Sequence, residues 1–249
     1  MIDHLSVSQV KTYLLCPLKY FYRYIQRLPA PQPSEVTLGR SVHAALETNF
    51  RQKVTTQQDL PLAHVTDAFS DAWETGAKET AFEDGEKPGE VKDEGIKILG
   101  VYHPTVSPTI QPKAVEQPFE LAFANVPYTF KGKIDLVDVK DQIIDHKTTK
   151  RAPTPEQVKQ DLQLTAYSLA HHTLQGQPES SLRLDVAVRT KVPKILHLET
   201  TRKPQDHARF LKLLGYVAKG IQSALFYPNL NFTCPSCPYR KHCDAWQDR

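Results

Sequence analysis

The sequence is poor in cysteine, methionine and tryptophan, and it has no long apolar run. Four cysteines, one methionine and two tryptophans occur among 249 residues. No stretch approaches the roughly 20 apolar residues that a membrane-spanning helix needs. The opening segment from Met1 to Ser6 carries acidic and polar residues where a signal peptide needs a basic start and an apolar run, so we expect a soluble, cytoplasmic protein. In that compartment, cysteines are more often thiols or metal ligands than disulfides.

The charge balance is nearly even. With 31 Lys+Arg against 28 Asp+Glu, the net charge is +3, which permits a phosphate-rich partner but does not argue strongly for one. A composition of 40% hydrophobic and 24% charged residues is typical of a globular protein and excludes general disorder. A chain of this length can bury a sizeable core without a metal. We expect one domain over residues 1–249, with its core at about 39–200.

Apolar spacing predicts helices in both halves of the chain. The first predicted helix is capped by Ser6 or Ser8 and runs to Ile25, and a second begins near Gly39. Further helices are predicted at 62–78, 155–169 and 204–226, and a weak one at 82–98. Alternating or continuous apolar runs between turn residues predict strands at 115–124, 128–139, 142–148, 184–190 and 194–200, after a proline-rich connection at 104–118. The pattern indicates an α/β protein with a small mixed sheet flanked by helices.

The segment around Asp145 carries the most chemical information. Side chains on a strand alternate faces, so Asp145 and Lys147 share one face while Ile144 and His146 share the other. Carboxylates hold Mg²⁺ or Mn²⁺, and a lysine can orient water or stabilise developing charge, so the pair suits phosphodiester hydrolysis. The alternative is an exposed ion pair on an edge strand, which contributes little.

Asp135 completes such a site only if it reaches the same face from the preceding strand. Directly opposed residues share a face, so Asp135 meets Asp145 only across a connection with an odd number of residues or a bulge. A two-residue turn at Lys140-Asp141 would place the carboxylates of Asp135 and Asp145 on opposite faces of the sheet. We therefore predict a longer loop or a bulge between the two strands.

Four motifs occur in a fixed order: Gly39-x-x-x-His43, Gly132-x-x-Asp135, Asp145-x-Lys147 and Gln163-x-x-x-Tyr167. This order resembles the core of RecB-like nucleases of the PD-(D/E)XK superfamily. The resemblance implies a restriction-endonuclease-like fold in which His43, Asp135 and Asp145 bind the metal. It also implies that the backbone carbonyl of His146 is a further ligand.

The same resemblance gives Lys147 the catalytic role and places Gln163 and Tyr167 at the border of the pocket. His43 and Glu47 lie four residues apart on one helical face, which supports His43 from the residues alone and fits a surface pair as well. Glu116 is an additional candidate ligand, with a solvent-facing role as its alternative. Lys150 and Arg151 are candidates for contacts with DNA phosphates, or are simply solvated. The list of candidate site residues is His43, Glu116, Asp135, Asp145, His146, Lys147, Lys150, Arg151, Gln163 and Tyr167.

All four cysteines fit one metal site. Cys16 lies in the first predicted helix, and Cys234, Cys237 and Cys243 form C-x2-C-x5-C near the other end. Four thiolates suit zinc or an iron-sulfur cluster, and the spacing does not choose between them. The arrangement resembles the iron-sulfur subset of the family, found in AddB and in CRISPR-associated RecB-like exonucleases, which implies a 4Fe-4S cluster. The cluster-binding elements would be 8–28 and 228–249, closing a helical lobe.

The tail between the cysteines is basic and aromatic. It contains Tyr239, Arg240, Lys241 and His242 in succession. These residues could present a basic, aromatic surface to a DNA strand, or they are simply solvated. The family resemblance implies an exonuclease that uses Mg²⁺ or Mn²⁺ and acts on single-stranded DNA ends. It also implies a place in DNA repair, recombination or CRISPR-type processing, beside a helicase or another DNA-processing subunit. The alternatives are a catalytically silent DNA-binding or scaffold subunit with iron-sulfur or zinc, and a zinc-stabilised interaction module.

Overall fold

The computed structural model describes residues 2–124 and 126–246. The last three positions of the predicted cluster-binding element 228–249 lie outside this range. The chain forms two compact units: the first comprises Met1–Pro31, Pro118–Gly132 and Arg202–Arg249, and the second comprises Gln32–Gln117 and Lys133–Thr201. The interpretation of the whole chain as one domain stays a prediction.

The described residues contain both helices and strands, and groups of helices alternate with groups of strands along the chain. The α-helices are α1 (Val7–Leu15), α2 (Pro17–Tyr20), α3 (Ser34–Thr56), α4 (Leu62–Ala77), α5 (Pro88–Thr105), α6 (Pro155–Lys159), α7 (Leu162–Gln175), α8 (Pro204–Gln222) and α9 (Arg240–Asp244). The strands are β1 (His4–Leu5), β2 (Gln32–Pro33), β3 (Thr80–Ala81), β4 (Pro112–Phe123), β5 (Val126–Asp138), β6 (Gln142–Thr149), β7 (Ser181–Val188) and β8 (Lys194–Thr200). No helix among them combines the length and apolar character that crossing a membrane requires.

A mixed sheet forms the centre of the second unit. β5 and β6 are antiparallel, β6 and β7 are parallel, and β7 and β8 are antiparallel. The helices α3, α5, α6 and α7 pack against these strands. This is the mixed sheet flanked by helices that the sequence predicts.

The core of the second unit follows from the spacing of apolar residues on its helices. α3 buries Leu38, Val42, Leu46 and Phe50, which recur every four residues and so occupy one face. α4 and α5 complete the core with Val65, Phe69, Trp73, Val91, Ile98, Leu99 and Tyr102. A continuous apolar core therefore supports the strands that carry the acidic residues.

In the first unit, the first helix is shorter than predicted. It ends at Leu15, because Pro17 disfavours a helical conformation at the residue before it, and Cys16 is extended with φ −163° and ψ 109°. The chain then continues as α2 and as a π-helix from Phe21 to Ile25. The break leaves the sulfur of Cys16 to accept a hydrogen bond from the backbone of Lys19 at 3.4 Å.

Other boundaries differ because contacts in the folded chain outweigh local pattern. α5 runs to Thr105 and takes in Pro104, which the sequence places in a connection, because Ile98, Leu99 and Tyr102 are buried on its core face. α3 begins at Ser34 rather than near Gly39. The predicted helix after Pro155 is two helices, because Asp161 caps the second one through its side chain.

Candidate active site and cysteine pocket

The connection between β5 and β6 has three residues, so its length is odd. Oδ1 of Asp138 accepts hydrogen bonds from the backbone N–H groups of Lys140 and Gln142, each at 2.8 Å. Asp141 lies in the left-handed region with φ 59°, as the last residue of a three-residue hairpin loop commonly does. The predicted longer connection is confirmed.

As a result, Asp135 and Asp145 lie on the same face of the sheet. Leu136 pairs with Ile144, so one more step along the ladder sets Asp135 opposite Asp145. Asp135 is 9% exposed and Asp145 is completely buried. Two carboxylates placed together out of water repel each other unless cationic groups compensate them.

His43, Glu116 and Asp135 form a group of possible metal ligands in the second unit. One ligand atom from each of the three side chains lies within 4.8 Å of the other two. Nδ1 of His43 is 3.4 Å from Oδ2 of Asp135, and its Nε2 is 2.6 Å from the backbone carbonyl oxygen of His146. Asp145 is not a member of this group, but its pKa is raised by the charge of Asp135 and lowered by that of His43.

Glu116 joins this group through an unusual backbone conformation. It lies inside β4 with φ 49°, a left-handed value that is costly for a non-glycine residue and that re-aims the side chain. Burial raises the pKa of its carboxyl group, and the neighbouring charges of Asp135 and Glu47 raise it further. The ammonium of Lys133 lies 3.7 Å away and opposes this effect.

A chain of hydrogen bonds joins Lys147 to Asp135 through α7. Nζ of Lys147 is 2.8 Å from Oδ2 of Asp145 and donates to Oε1 of Gln163, also at 2.8 Å. Nε2 of Gln163 donates to the hydroxyl of Tyr167 at 2.7 Å, and that hydroxyl donates to Oδ1 of Asp135 at 3.0 Å. Gln163 and Tyr167 therefore hold the lysine and one carboxylate in fixed positions.

Protonation in this site is set by burial and by neighbouring charge. Burial raises the pKa of Asp145 to about 6, although the ammonium of Lys147 acts in the opposite direction. Burial alone would lower the pKa of Lys147, but the charges of Asp145 and Asp135 outweigh it and raise that pKa. Burial and the charge of Asp135 raise the pKa of Tyr167 well above its ordinary value. Lys147 is therefore an ammonium and Tyr167 a neutral donor at neutral pH.

The side chain of His146 belongs to a buried polar network behind the carboxylates. The hydroxyl of Tyr102 lies 2.9 Å from Nε2 of His146 and donates to Oδ2 of Asp185 at 2.8 Å. Asp185 also pairs with Nε of Arg183 at 2.8 Å and with Nδ1 of His197 at 2.5 Å. Burial lowers the pKa of His146 to about 4. Its ring is therefore neutral and fixed while its carbonyl faces His43.

Sequence reasoning missed Tyr102, Asp185, Arg183 and His197. A usable signal was present for Asp185, because it is the single acid of the mostly apolar strand β7, just as Asp145 is the single acid of β6. Tyr102 gave no signal, since it lies on α5 like any apolar core residue.

Lys150 and Arg151 lie beyond the end of β6 and outside these contacts. Nζ of Lys150 is 2.6 Å from Oε1 of Glu35, so this ammonium already has an anionic partner. The backbone N–H of Arg151 donates to Oγ1 of Thr149. A role for either residue in DNA binding stays a prediction.

The donors in this pocket fit a divalent cation. They are an imidazole nitrogen from His43, carboxylate oxygens from Glu116 and Asp135, and the carbonyl oxygen of His146. Oxygen-rich sets of this kind suit Mg²⁺ or Mn²⁺. Oδ1 of Asp145 is buried and, among the described residues, accepts no hydrogen bond. A buried acceptor without a donor is costly, and a cation would remove that cost.

The four cysteines line one small cavity in the first unit. It has a volume of about 70 Å³, and Cys16, Cys234, Cys237 and Cys243 all border it. Each is a free thiol. Burial raises the pKa of Cys243, and the charges of the other three cysteines raise it further, which reflects their closeness.

Backbone N–H groups point at two of these sulfur atoms. Asn229 donates to Sγ of Cys16 at 3.5 Å, and Asn231 donates to Sγ of Cys234 at 3.3 Å. Such donors stabilise thiolates, which are the form that binds metal. The prediction that Tyr239 belongs to an exposed aromatic surface is wrong. Its side chain is 2% exposed, and its hydroxyl donates to the carbonyl of Leu28 at 3.1 Å.

The chain belongs to the PD-(D/E)XK nuclease superfamily, since the model of that family matches residues 4–244. No curated protein matches the sequence. The resemblance stated from the motifs is therefore confirmed at the level of the superfamily, and the protein is a nuclease by family.

Two solved structures are similar to this chain at low sequence identity. A candidate exonuclease from Eubacterium rectale is 11% identical with a TM-score of 0.67, and the match covers 99% of this chain and 90% of that one. The protein SSO0001 is 14% identical with a TM-score of 0.49, over 98% of this chain and 87% of that one. At such identity, the first likeness shows the fold alone.

Proposed function

We propose that this protein is a RecB-like deoxyribonuclease that requires Mg²⁺ or Mn²⁺ and degrades DNA from single-stranded ends. The observation that carries the proposal is the convergence of His43, Glu116 and Asp135 within 4.8 Å, next to the paired Asp145 and Lys147. The motif order supports the RecB-like assignment, and the candidate exonuclease from Eubacterium rectale supports action at ends.

The metal ligands in this proposal are the side chains of His43, Asp135 and Asp145 and the carbonyl of His146, with Glu116 as an additional ligand. A divalent ion held there supplies a Lewis acid that offsets charge on the phosphate and makes water more acidic. The positive charge of the ion would also reduce the repulsion between the carboxylates. The proposal accounts for the cost of placing these buried acids together.

Lys147 is the catalytic residue that faces the reacting phosphate. Its ammonium carries three N–H donors, of which Asp145 and Gln163 hold two, so the third can orient the attacking water or stabilise charge on a phosphate oxygen. Gln163 and Tyr167 are positioning residues, because they fix the lysine and Asp135 through hydrogen bonds.

A nuclease assay tests the proposal. Wild-type protein and Lys147→Ala are incubated with Mg²⁺ or Mn²⁺ and with linear single-stranded, linear duplex and covalently closed circular single-stranded DNA. We expect wild type to degrade linear single strands and to spare circles, and the rate to fall roughly 100-fold or more in the variant. Lys191→Ala, at an exposed lysine between β7 and β8, is the matched control.

Each other outcome has a definite meaning. Equal activity in wild type and Lys147→Ala rejects the catalytic assignment. Cleavage of circles rejects the dependence on ends. Tight DNA binding without cleavage under every metal condition favours the alternative of a catalytically silent DNA-binding or scaffold subunit. Pull-down with a helicase is the corresponding test of the proposed partner in DNA repair or CRISPR-type processing.

We propose in addition that the cysteine pocket holds a 4Fe-4S cluster, with zinc as the alternative. The convergence of four free thiols on one cavity and the N–H donors toward sulfur support a metal site. The family resemblance of the spacing supports iron over zinc. The cluster would link residue 16 to the segment 234–243 and so stabilise the first unit.

Metal analysis of protein purified without oxygen distinguishes these cases. We expect iron and acid-labile sulfide together with a brown colour, all lost in Cys237→Ser and retained in Ser236→Ala. Zinc in place of iron would select the alternative, including a zinc-stabilised interaction module. The absence of both metals would leave four thiols and reject the proposal.

A further inference from the structure

A groove lies on the surface of the first unit, between α8 and the ends of β4 and β5. It encloses about 800 Å³, and we call it the α8 groove. Its residues include Phe123, Val126, Leu211, Lys212, Tyr216 and Lys219. None of them belongs to the candidate active site or the cysteine pocket.

The exposed side of α8 combines basic and aromatic residues at helical spacing. Arg209, Lys212, Tyr216 and Lys219 are exposed and follow one another at intervals of three or four residues, so they lie on one face. Tyr216 is 61% exposed. The opposite face of the helix is buried through Phe210, Leu214, Val217 and Ile221, so the exposed residues are not needed for the core.

The charge of the α8 groove has one sign. Lys212 and Lys219 are the charged residues that line it, and the part of α8 from residue 207 to residue 222 contains arginine and lysine but no acid. The β-strand wall contributes alanine, phenylalanine and valine. The groove therefore suits a ligand that has negative charges near Lys212 and Lys219 and presents apolar or flat groups to the rest of the lining.

Single-stranded DNA has this chemistry. Its phosphates pair with lysine and arginine, and its bases stack on exposed aromatic rings. Nζ of Lys212 lies 6.0 Å from the centre of the Tyr216 ring, so a phosphate contact and a stacking surface are adjacent. The helix rises about 15 Å from Arg209 to Lys219, enough to follow several nucleotides.

We infer that the α8 groove is a second binding site for single-stranded DNA, distinct from the candidate active site. The inference rests on the proposed function, since it takes the substrate to be DNA. Phosphates contact Lys212 and Lys219, and one base stacks on Tyr216. An acidic helix of a partner protein is a different occupant, and binding measurements separate the two.

Fluorescence anisotropy with a labelled single-stranded oligonucleotide tests the site, in EDTA so that the DNA stays intact. We expect Lys212→Glu/Lys219→Glu to weaken binding roughly tenfold or more and to reduce the slope of log K against log salt by about 1.4, the value for two phosphate contacts on a single strand. Lys87→Glu/Lys97→Glu, at two exposed lysines of the second unit, changes the net charge equally and should leave both quantities unchanged.

Tyr216 is tested separately from charge. We expect Tyr216→Ala to weaken binding of single strands roughly fivefold or more and Tyr216→Phe to bind like wild type, because stacking needs only the ring. Duplex DNA, whose bases are already stacked, should be affected less by Tyr216→Ala. Thermal unfolding of each variant confirms that the exposed substitutions leave the fold intact.

The outcomes separate this inference from the proposed nuclease function. If the charge-reversal and Tyr216→Ala variants keep their affinity in a protein that still cleaves DNA through Lys147, the proposed binding site in the α8 groove is rejected. The proposed nuclease function is then unaffected. Equal weakening by the Lys87→Glu/Lys97→Glu control shows a general effect of charge and also overturns it. A wild-type protein that neither binds nor cleaves DNA overturns both.

Discussion

The hydroxyl of Tyr102 donates a 2.8 Å hydrogen bond to the carboxylate of Asp185 inside the second unit. The same oxygen lies 2.9 Å from Nε2 of His146, whose carbonyl faces the candidate metal ligand His43. Tyr102 is 2% exposed, so water does not replace either bond. The position of one backbone carbonyl in the site thus depends on a tyrosine on a different element.

Tyr102→Phe should destabilise the protein by about 1–3 kcal/mol, because Oδ2 of Asp185 keeps only its hydrogen bond from Arg183 and the buried Nε2 of His146 loses the Tyr102 hydroxyl. Chemical denaturation of the metal-free protein measures the free energy of unfolding. Tyr216→Phe removes a hydroxyl from an exposed ring and is the matched control, expected to change little. A Tyr102→Phe protein as stable as wild type would show that the network does not contribute.

Asp185 should make stability depend on pH in the acidic range. Burial alone would raise its pKa, but the hydrogen bond from His197 and the charges of Arg183 and of His146, which is protonated below its own pKa of about 4, outweigh burial and hold the pKa of Asp185 at about 2. A carboxyl group with a lowered pKa contributes stability that is present above its unfolded value of about 3.9 and is lost as pH falls toward 2. We expect that contribution to be about 2 kcal/mol.

The measurement is the free energy of unfolding between pH 2 and pH 5 for wild type and Asp185→Asn. The variant should lack the part of the decline that Asp185 causes, so the two curves converge at the acidic end. Parallel curves would contradict the assignment of the lowered pKa to Asp185.

Two glycines of α5 should respond in opposite ways to alanine. A Cβ atom on Gly95 would lie 2.1 Å from Cζ of Phe69, so Gly95→Ala forces a packed ring to move and should cost about 1–3 kcal/mol. Gly100 has nothing within 4 Å, so Gly100→Ala should stabilise the helix by about 0.5–1 kcal/mol. Melting temperatures of the two variants check this, and a shift of the same sign in both would contradict it.

Tyr167→Phe should reduce the rate of DNA cleavage roughly tenfold while DNA affinity in EDTA stays the same. The change removes the hydroxyl that joins Gln163 to Asp135, so both residues lose a fixed position. Tyr24→Phe is the control on a residue outside the site. Equal losses in cleavage and binding would indicate damage to the fold rather than to positioning.

The central pair of strands was predictable in detail. The alternation of side chains sets Asp145 and Lys147 on one face, and the requirement that Asp135 join them demanded an odd connection, which β5 and β6 have. This worked because register along a strand has a period of two and allows few alternatives. The four motifs also identified the superfamily that the comparison shows.

Other features depend on contacts that sequence spacing does not report. Tyr102 meets Asp185 across 83 positions of the chain, and nothing in the local pattern of α5 marks that contact. Glu116 lies close to His43 and Asp135 and adopts a left-handed backbone within a strand, which the alternation of residues along a strand does not predict. Tyr239 is buried because the fold covers it, although its basic neighbours suggested an exposed tail.

The position of Cys16, more than 200 residues before the other three cysteines, limits when a metal can bind during protein synthesis. Its sulfur shares a cavity with Cys234, Cys237 and Cys243, so only one of the four thiols exists until the segment 234–243 is synthesised. During synthesis of the residues between 16 and 234, Cys16 has none of the other three cysteines beside it. Any metal that needs all four thiols must therefore be inserted after residue 243 has been synthesised.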